Sequence, residues 1–357
     1  MTMIKNKRAR RRANPLLSTA KGIGGLLAAL ATAIGGWIGY SALAINHDMD
    51  LAPALDAERQ TFESASAGGL SYYADRGGAG RSLVLIHSIN AGASAYEMRP
   101  IFEHYRGQRP VYALDLPGFG FSERSDRVYS PALYASAIHE FIETQVSDKA
   151  DVIALSLGSE FVARAAYERP DLFHSLALIS PSGLSERNAE NRVQSAGRQG
   201  SGDRLLRIFS FPLWSQAFYD LLVSPPSLRY FLSRSFVGPV DQGLLEYAYP
   251  TTHQPGARYA PLYFVSGKLF TPDIWQSVYQ RLELPVLVIY DHDSYVSFEL
   301  LPRALELPNW HGARITPTLG LPHFEKLPDV AHALDRFWRL WQEPEATTDE
   351  AARQVER

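Results

Sequence analysis

The sequence has no cysteine, which excludes disulfides and thiolate metal sites. It has no acidic residue before Asp48, although Lys5, Lys7, Arg8, Arg10, Arg11, Arg12 and Lys21 precede that point. The formal net charge is −3, so without those seven positive residues the chain from His47 onward stands at −10. So acidic a body argues against nucleic acid as a partner. Internal repeats are absent too, and no clear strand pattern appears from about Pro181 to Leu282. The remaining composition, 46 % hydrophobic and 20 % charged, is that of a globular protein. A length of 357 residues accommodates one large α/β domain with an insertion and tails.

Charge is also absent from Gly22 to Ile45, a run of 24 residues. As a helix this run spans about 36 Å, against a bilayer core of about 30 Å. Trp37 and Tyr40 lie toward its far end, where amphipathic rings suit an interface. With the basic cluster ahead of it, the segment predicts a single-pass membrane anchor with a cytoplasmic N-terminus and a non-cytoplasmic catalytic domain. The alternatives are a cleaved signal peptide, with Ala42-Leu43-Ala44 as the processing site, which leaves a secreted protein, and a twin-arginine signal at Arg11-Arg12, which Ala13-Asn14-Pro15 fits poorly. Gly35 and Gly39 form a G-x-x-x-G step, weak evidence for helix pairing.

Residues 1–47 therefore read as a basic N-terminus and membrane segment, and 48–69 as a polar linker. Short apolar runs then predict strands at Leu70–Asp75, Ser82–His87, Val111–Asp115, Asp151–Leu155, Ser175–Ile179, Leu284–Tyr290 and, weakly, Ala313–Thr316. Between them lie helical spacings, such as Tyr134, Ile138, Phe141 and Ile142 behind a Ser130 N-cap and Pro131. A last helix opens at Pro328 with Val330, Leu334, Phe337 and Trp341 as its buried stripe. This alternation predicts a mostly parallel sheet covered on both faces over 70–342. Residues 181–282, rich in Arg, Phe, Tyr, Pro and Ser, read as an inserted helical cap, and 343–357 as a solvated tail.

The stretch Asp151–Glu160 (D-V-I-A-L-S-L-G-S-E) places Ser156 directly after a buried strand and before a helix, with Ala154 and Gly158 two residues to either side. Strand, serine and helix with small neighbours form a nucleophile elbow, which exposes the hydroxyl and aims a helix N-terminus at developing negative charge. On its own A-x-S-x-G also fits an ordinary turn. A nucleophilic serine needs a base, and the base an orienting acid. Asp291 and Asp293 follow the strand ending at Tyr290, and His323 follows the last strand, giving the chain order Ser, Asp, His.

Five segments together carry a family resemblance: L-V-L-I-H-S-I-N at Leu83–Asn90, D-L-P-G-F-G-F-S at Asp115–Ser122, the A-L-S-L-G elbow, P-V-L-V-I-Y-D-H-D at Pro285–Asp293, and P-H-F-E-K-L-P at Pro322–Pro328. From about Leu70 to Trp341 the chain resembles an α/β-hydrolase with a cap. That resemblance implies Ser156 as nucleophile, His323 as base and Asp293 as acid, with the Leu157 and Ile89 amides forming the oxyanion hole. Asp293 is favoured over Asp291 because it lies further out on its loop, and His292 reads as a loop residue. The usual His-Gly is His87-Ser88 here, which leaves the loop conformation and the Ser88 hydroxyl open. His87, Asp115 and the turn Pro117-Gly118-Phe119-Gly120 read as architecture.

The implied reaction is acyl transfer from a small-molecule ester through an acyl-enzyme, calling for no metal or organic cofactor. Hydrolysis of a carbon–carbon bond shares the fold and the triad. A membrane-tethered, non-catalytic binding module is the reading outside enzymes. The cap aromatics Phe209, Phe211, Trp214, Phe218, Tyr219, Tyr230, Phe231 and Phe236 are expected mostly to pack the cap onto the sheet, a few lining an apolar pocket.

Overall fold

The structure, a computed structural model, describes residues 15–186 and 199–341, with the side chains of 15–28 and 199–201 outside that description. The basic cluster before Pro15 and the tail after Trp341 lie outside the described residues.

Eight strands form one sheet: β1 (Glu58–Ser64), β2 (Gly68–Asp75), β3 (Leu83–Ile86), β4 (Val111–Leu114), β5 (Ala150–Leu155), β6 (Phe173–Ile179), β7 (Val286–Tyr290) and β8 (Trp310–Arg314). Their order is β1-β2-β4-β3-β5-β6-β7-β8, parallel from β4 to β8 and antiparallel at β1–β2 and β2–β4. The seven expected strands are all present. β1 falls within the expected linker: its sequence, E-R-Q-T-F-E-S, offers one apolar side chain to an edge position and so carries no hydrophobic signal.

Central strands are apolar on both sides because two cores meet at the sheet. Val84, Ile86, Val152, Ala154, Leu176 and Leu178 face one core, while Leu83, Leu85, Ile153, Leu155, Ala177 and Ile179 face the other. Helices α2 (Arg99–Tyr105), α3 (Pro131–Phe141) and α4 (Gly158–Glu168) cover the sheet. The Ser130 Oγ does cap α3, accepting from Leu133 N at 3.2 Å. Phe161, Ala165 and Ala166 of α4 are fully buried in the first core. Truncating Phe161 to alanine removes a well-packed ring, an expected cost of about 3–5 kcal/mol.

The chain between β6 and β7 is helical among its described residues: α5 (Gln199–Phe209), α6 (Ser215–Leu222), α7 (Pro225–Ser233), α8 (Gln242–Thr252), α9 (Tyr259–Val265) and α10 (Ile274–Ser277). This is the expected insertion. Its aromatics are placed differently from the expectation. Tyr219 and Phe236 are buried, but Phe211, Trp214, Tyr230 and Phe231 are exposed. Short α11 (Leu301–Ala304) and α12 (Pro322–Glu325) precede α13 (Leu327–Leu340), which carries the expected stripe, with Val330 and Leu334 fully buried.

The N-terminal segment, ahead of the sheet domain, is helical from Pro15 to Ala44. Among the described residues no helix is long and apolar enough to cross a membrane. The end of the segment is bonded to the cap. Trp37 Nε1 donates to the Ala217 carbonyl at 2.7 Å, and Ser41 Oγ donates to Asp220 Oδ2 at 2.6 Å. His47 Nε2 lies 3.0 Å from the same carboxylate.

Candidate active site

Ser156 follows β5 directly and has φ +52°, the left-handed region that disfavours an L side chain by about 1–3 kcal/mol. Its amide donates to the Ile179 carbonyl of neighbouring β6 at 2.9 Å, fixing the turn against the sheet. A β-carbon at Gly158 would meet the His87 carbonyl, so glycine is required there by close approach. Ala154 lies within the strand, fully buried, where smallness is sufficient. Helix α4 then begins at Gly158 with its N-terminus toward the hydroxyl. One turn on, the buried Glu160 accepts from Ser182 Oγ at 2.6 Å and Thr271 N at 2.8 Å, tying the elbow helix to both ends of the cap.

The amides of Leu157 and Ile89 are buried and have no acceptor among the described residues. Buried orphan donors are rare, and two near a serine suit a negatively charged oxygen. The loop bearing Ile89 is organised by a residue that sequence reasoning missed. The buried Glu97 carboxylate accepts from Ser88 N (2.9 Å), Ser88 Oγ (3.1 Å) and Asn90 Nδ2 (2.6 Å). Burial pushes its pKa up, against those donors. His87 is architectural, as expected: Nδ1 donates to the Ser88 carbonyl at 2.6 Å and Nε2 accepts from Leu116 N at 2.9 Å. Burial lowers its pKa to about 4, so the ring is neutral. Asp115 is architectural as well, accepting from Phe121 N at the end of its Gly-rich turn and from Ala95 N in the segment after β3.

On the other side of the sheet edge, the acids divide. Asp291 is buried, bonded to Arg314 Nε at 2.8 Å and to Thr318 N at 3.0 Å. Burial opposes its ionisation, yet those two donors hold its pKa below the usual carboxylate value. Asp293 Oδ1 accepts from Tyr295 N (2.7 Å) and Val296 N (3.2 Å), and burial raises its pKa. Asp293 keeps its second oxygen outside these bonds. His292 is exposed, a loop residue.

The structure does not join the three expected triad members. His323 is fully buried on α12, and its Nε2 donates to the Glu97 carbonyl at 2.7 Å, while Nδ1 has no partner. A relay needs the other tautomer, with Nδ1–H on the acid and the Nε2 lone pair facing the serine. Burial also lowers the His323 pKa to about 4. No hydrogen bond links His323 to Ser156 or to Asp293. P-H-F-E-K-L-P reads like a base in sequence because it sits in the right loop; the turn of α12 points the ring into the core behind Glu97 instead.

The cap closes over these loops. Tyr295 OH donates to the Phe231 carbonyl, Ser294 Oγ to the Arg234 carbonyl, and Leu321 N to the Ser235 carbonyl. A cavity of about 440 Å³ lies elsewhere, between β8 and α13, lined by His311, Arg314, His332 and Arg336. Among the described residues no group of three or more His, Asp or Glu side chains is arranged to hold a metal.

A strained serine elbow and two orphan amides at the C-terminal edge of a parallel sheet define the class. Residues 83–350 match the model of the alpha/beta hydrolase family, three quarters of the chain, and the chain belongs to that family. It is 30 % identical over 119 residues to the uncharacterized hydrolase YugF of Bacillus subtilis, covering 33 % of this chain and 43 % of YugF. It is 24 % identical over 153 residues to 2-(acetamidomethylene)succinate hydrolase of Mesorhizobium japonicum, covering 43 % of this chain and 54 % of that enzyme. The chain thus spans about half the length of these curated relatives, or less. Among solved structures it is similar to a serine hydrolase involved in carbazole degradation, with TM-score 0.63, 18 % identity and coverage of 79 % and 99 % of the two chains. It is also similar to a membrane phospholipase A, with TM-score 0.61, 19 % identity and coverage of 92 % and 97 %. At these identities the structural likenesses show the fold.

Proposed function

We propose that this protein is a serine hydrolase that attacks a carboxylic ester, or a similar acyl substrate, with Ser156. The observation that carries the reading is Ser156 at φ +52° beside the unpartnered Leu157 and Ile89 amides. That geometry has no structural use in a turn, whereas it holds a nucleophile and a forming oxyanion within reach of one carbonyl. A fluorophosphonate probe tests it: the folded protein is expected to label at Ser156, and Ser156→Ala to lose the label. Folded protein that does not label would favour the binding-module reading, which draws on the His323 ring being committed to the Glu97 carbonyl.

The protein works at a membrane in this reading, held by its N-terminal helix with the catalytic domain on the non-cytoplasmic side. The segment in this reading is the uncharged run Gly22 to Ile45, whose far end also binds the cap through Trp37 and Ser41. Beside the docked end, Leu205, Ile208, Phe211, Leu213, Trp214 and Leu221 are exposed on α5, α6 and the turn between them. Such an apolar surface next to the helix is suited to rest on lipid. Membrane fractionation with N-terminal sequencing tests this, and mature soluble protein starting near Ile45 would overturn it.

A further inference from the structure

Asp293 holds its Oδ1 on two loop amides and directs Oδ2 at the loop after β8. There it lies 2.8 Å from where a β-carbon on Gly320 would stand, with Ser235 Cβ 3.6 Å from the same point. Gly320 is not among the residues with positive φ, so its backbone does not require glycine. A side chain there would meet the Asp293 carboxylate closer than normal contact, so Oδ2 would have to turn aside to accept from it. His323, three residues on, is turned to another partner, with Nε2–H on the Glu97 carbonyl and Nδ1 buried without a partner.

We propose that residue 320, not residue 323, is the seat of the general base at this site, and that with glycine there Ser156 works without a histidine relay. The inference rests on the reading of Ser156 as nucleophile. In the native chain, as Oγ bonds to the carbonyl carbon and the π pair moves to oxygen, the serine proton passes to solvent. An imidazole at 320 would take that proton on Nε2 while Nδ1–H stays on Asp293. It would then return the proton to the leaving alkoxide as the carbonyl re-forms.

The test uses the full-length chain in detergent with p-nitrophenyl butyrate. Gly320→His is expected to raise kcat/KM by about 10²-fold or more, the usual contribution of a positioned base, with a new rise through the histidine pH range. Adding Asp293→Asn to it should remove most of that gain. His323→Gln, which keeps a donor for the Glu97 carbonyl, is expected to stay within a few-fold of wild type. Where Gly320→His fails to fold, free imidazole added to wild type replaces it: saturable acceleration that needs Ser156 and Asp293 supports the proposal, and its absence overturns it. A hundred-fold loss in His323→Gln at unchanged melting temperature would make His323 the base and overturn the proposal. So would folded Gly320→His no faster than wild type. Fluorophosphonate labelling separates the layers, because folded protein that never labels at Ser156 removes the nucleophile reading itself.

Discussion

On the β3–β5 side of the sheet edge the polar side chains of the loops beside the serine are tied together, and two amides are left without acceptors. Glu97 gathers Ser88 and Asn90, His87 ties its loop to Leu116, and Glu160 ties the elbow helix to the cap. On the β7–β8 side the acid is held by its own loop and the histidine by a carbonyl behind it. If Ser156 is the nucleophile proposed above, the first half is suited to hold charge on an oxygen, and the second offers Asp293 with His323 bonded elsewhere. The two functions of a serine site are therefore separable here, and variants on each side should fail differently.

The largest effect belongs to the group the first side serves. Ser156→Ala is expected to bring ester hydrolysis to background while shifting the melting temperature by no more than a few degrees, since alanine occupies the space of serine. Activity above a few per cent of wild type, measured on the same ester, would move the chemistry off the elbow.

Next comes Glu97→Ala, which leaves Ser88 N and Asn90 without their buried acceptor. Misplacing the Ile89 amide should lower kcat by about 10²–10³, the cost of one oxyanion donor. Unpaired buried donors should also lower stability by about 1–3 kcal/mol. Asp291→Asn on the opposite side should cost stability through Arg314 and Thr318 and leave kcat nearly unchanged. If Glu97→Ala loses only stability, the Ile89 loop holds its shape without the carboxylate.

What the sequence disclosed follows the same division. The sheet, the strained turn at Ser156 and the helical insertion were legible because apolar runs and loop order are local signals. Glu97 and Glu160 were not: each is a lone acid in a helical stretch, and only burial reveals that it organises a loop. The edge strand Glu58–Ser64 was hidden by its polarity. His323 was legible as a histidine in the expected loop. Its direction depends on the turn of Pro322–Glu325, which spacing does not encode.

A third effect is thermodynamic. His87 and His323 have folded pKa values lowered to about 4 from 6.5, so the unfolded chain binds more protons between those values. Their stabilisation is fully present above pH 6.5 and is lost as pH falls toward 4, at about 1.4 kcal/mol per unit for each. Asp115 runs the other way: raised from 3.8 to about 6, it favours the fold as pH falls through 6. It thus offsets about one histidine below pH 6. In thermal melts from pH 7 to 4.5, His323→Gln should therefore lose less stability than wild type as the pH falls. An unchanged slope in that variant would mean that His323 already titrates near its ordinary value in the fold.

The smallest expected effect lies where the N-terminal helix meets the cap. Asp220 is buried and accepts from Ser41 Oγ, His47 Nε2 and Gln216 Nε2. Asp220→Ala removes these bonds while Trp37 keeps its own to Ala217, so the junction should loosen by about 1–2 kcal/mol rather than detach. Turnover of a short soluble ester should be unchanged, because neither the elbow nor the amide pair touches this carboxylate. The measurable consequence is faster proteolysis between Trp37 and Met49 in detergent. If cleavage there is no faster than in wild type, the contact with α6 is held by apolar packing, and the cap does not depend on Asp220 to grip the helix that would join it to the membrane.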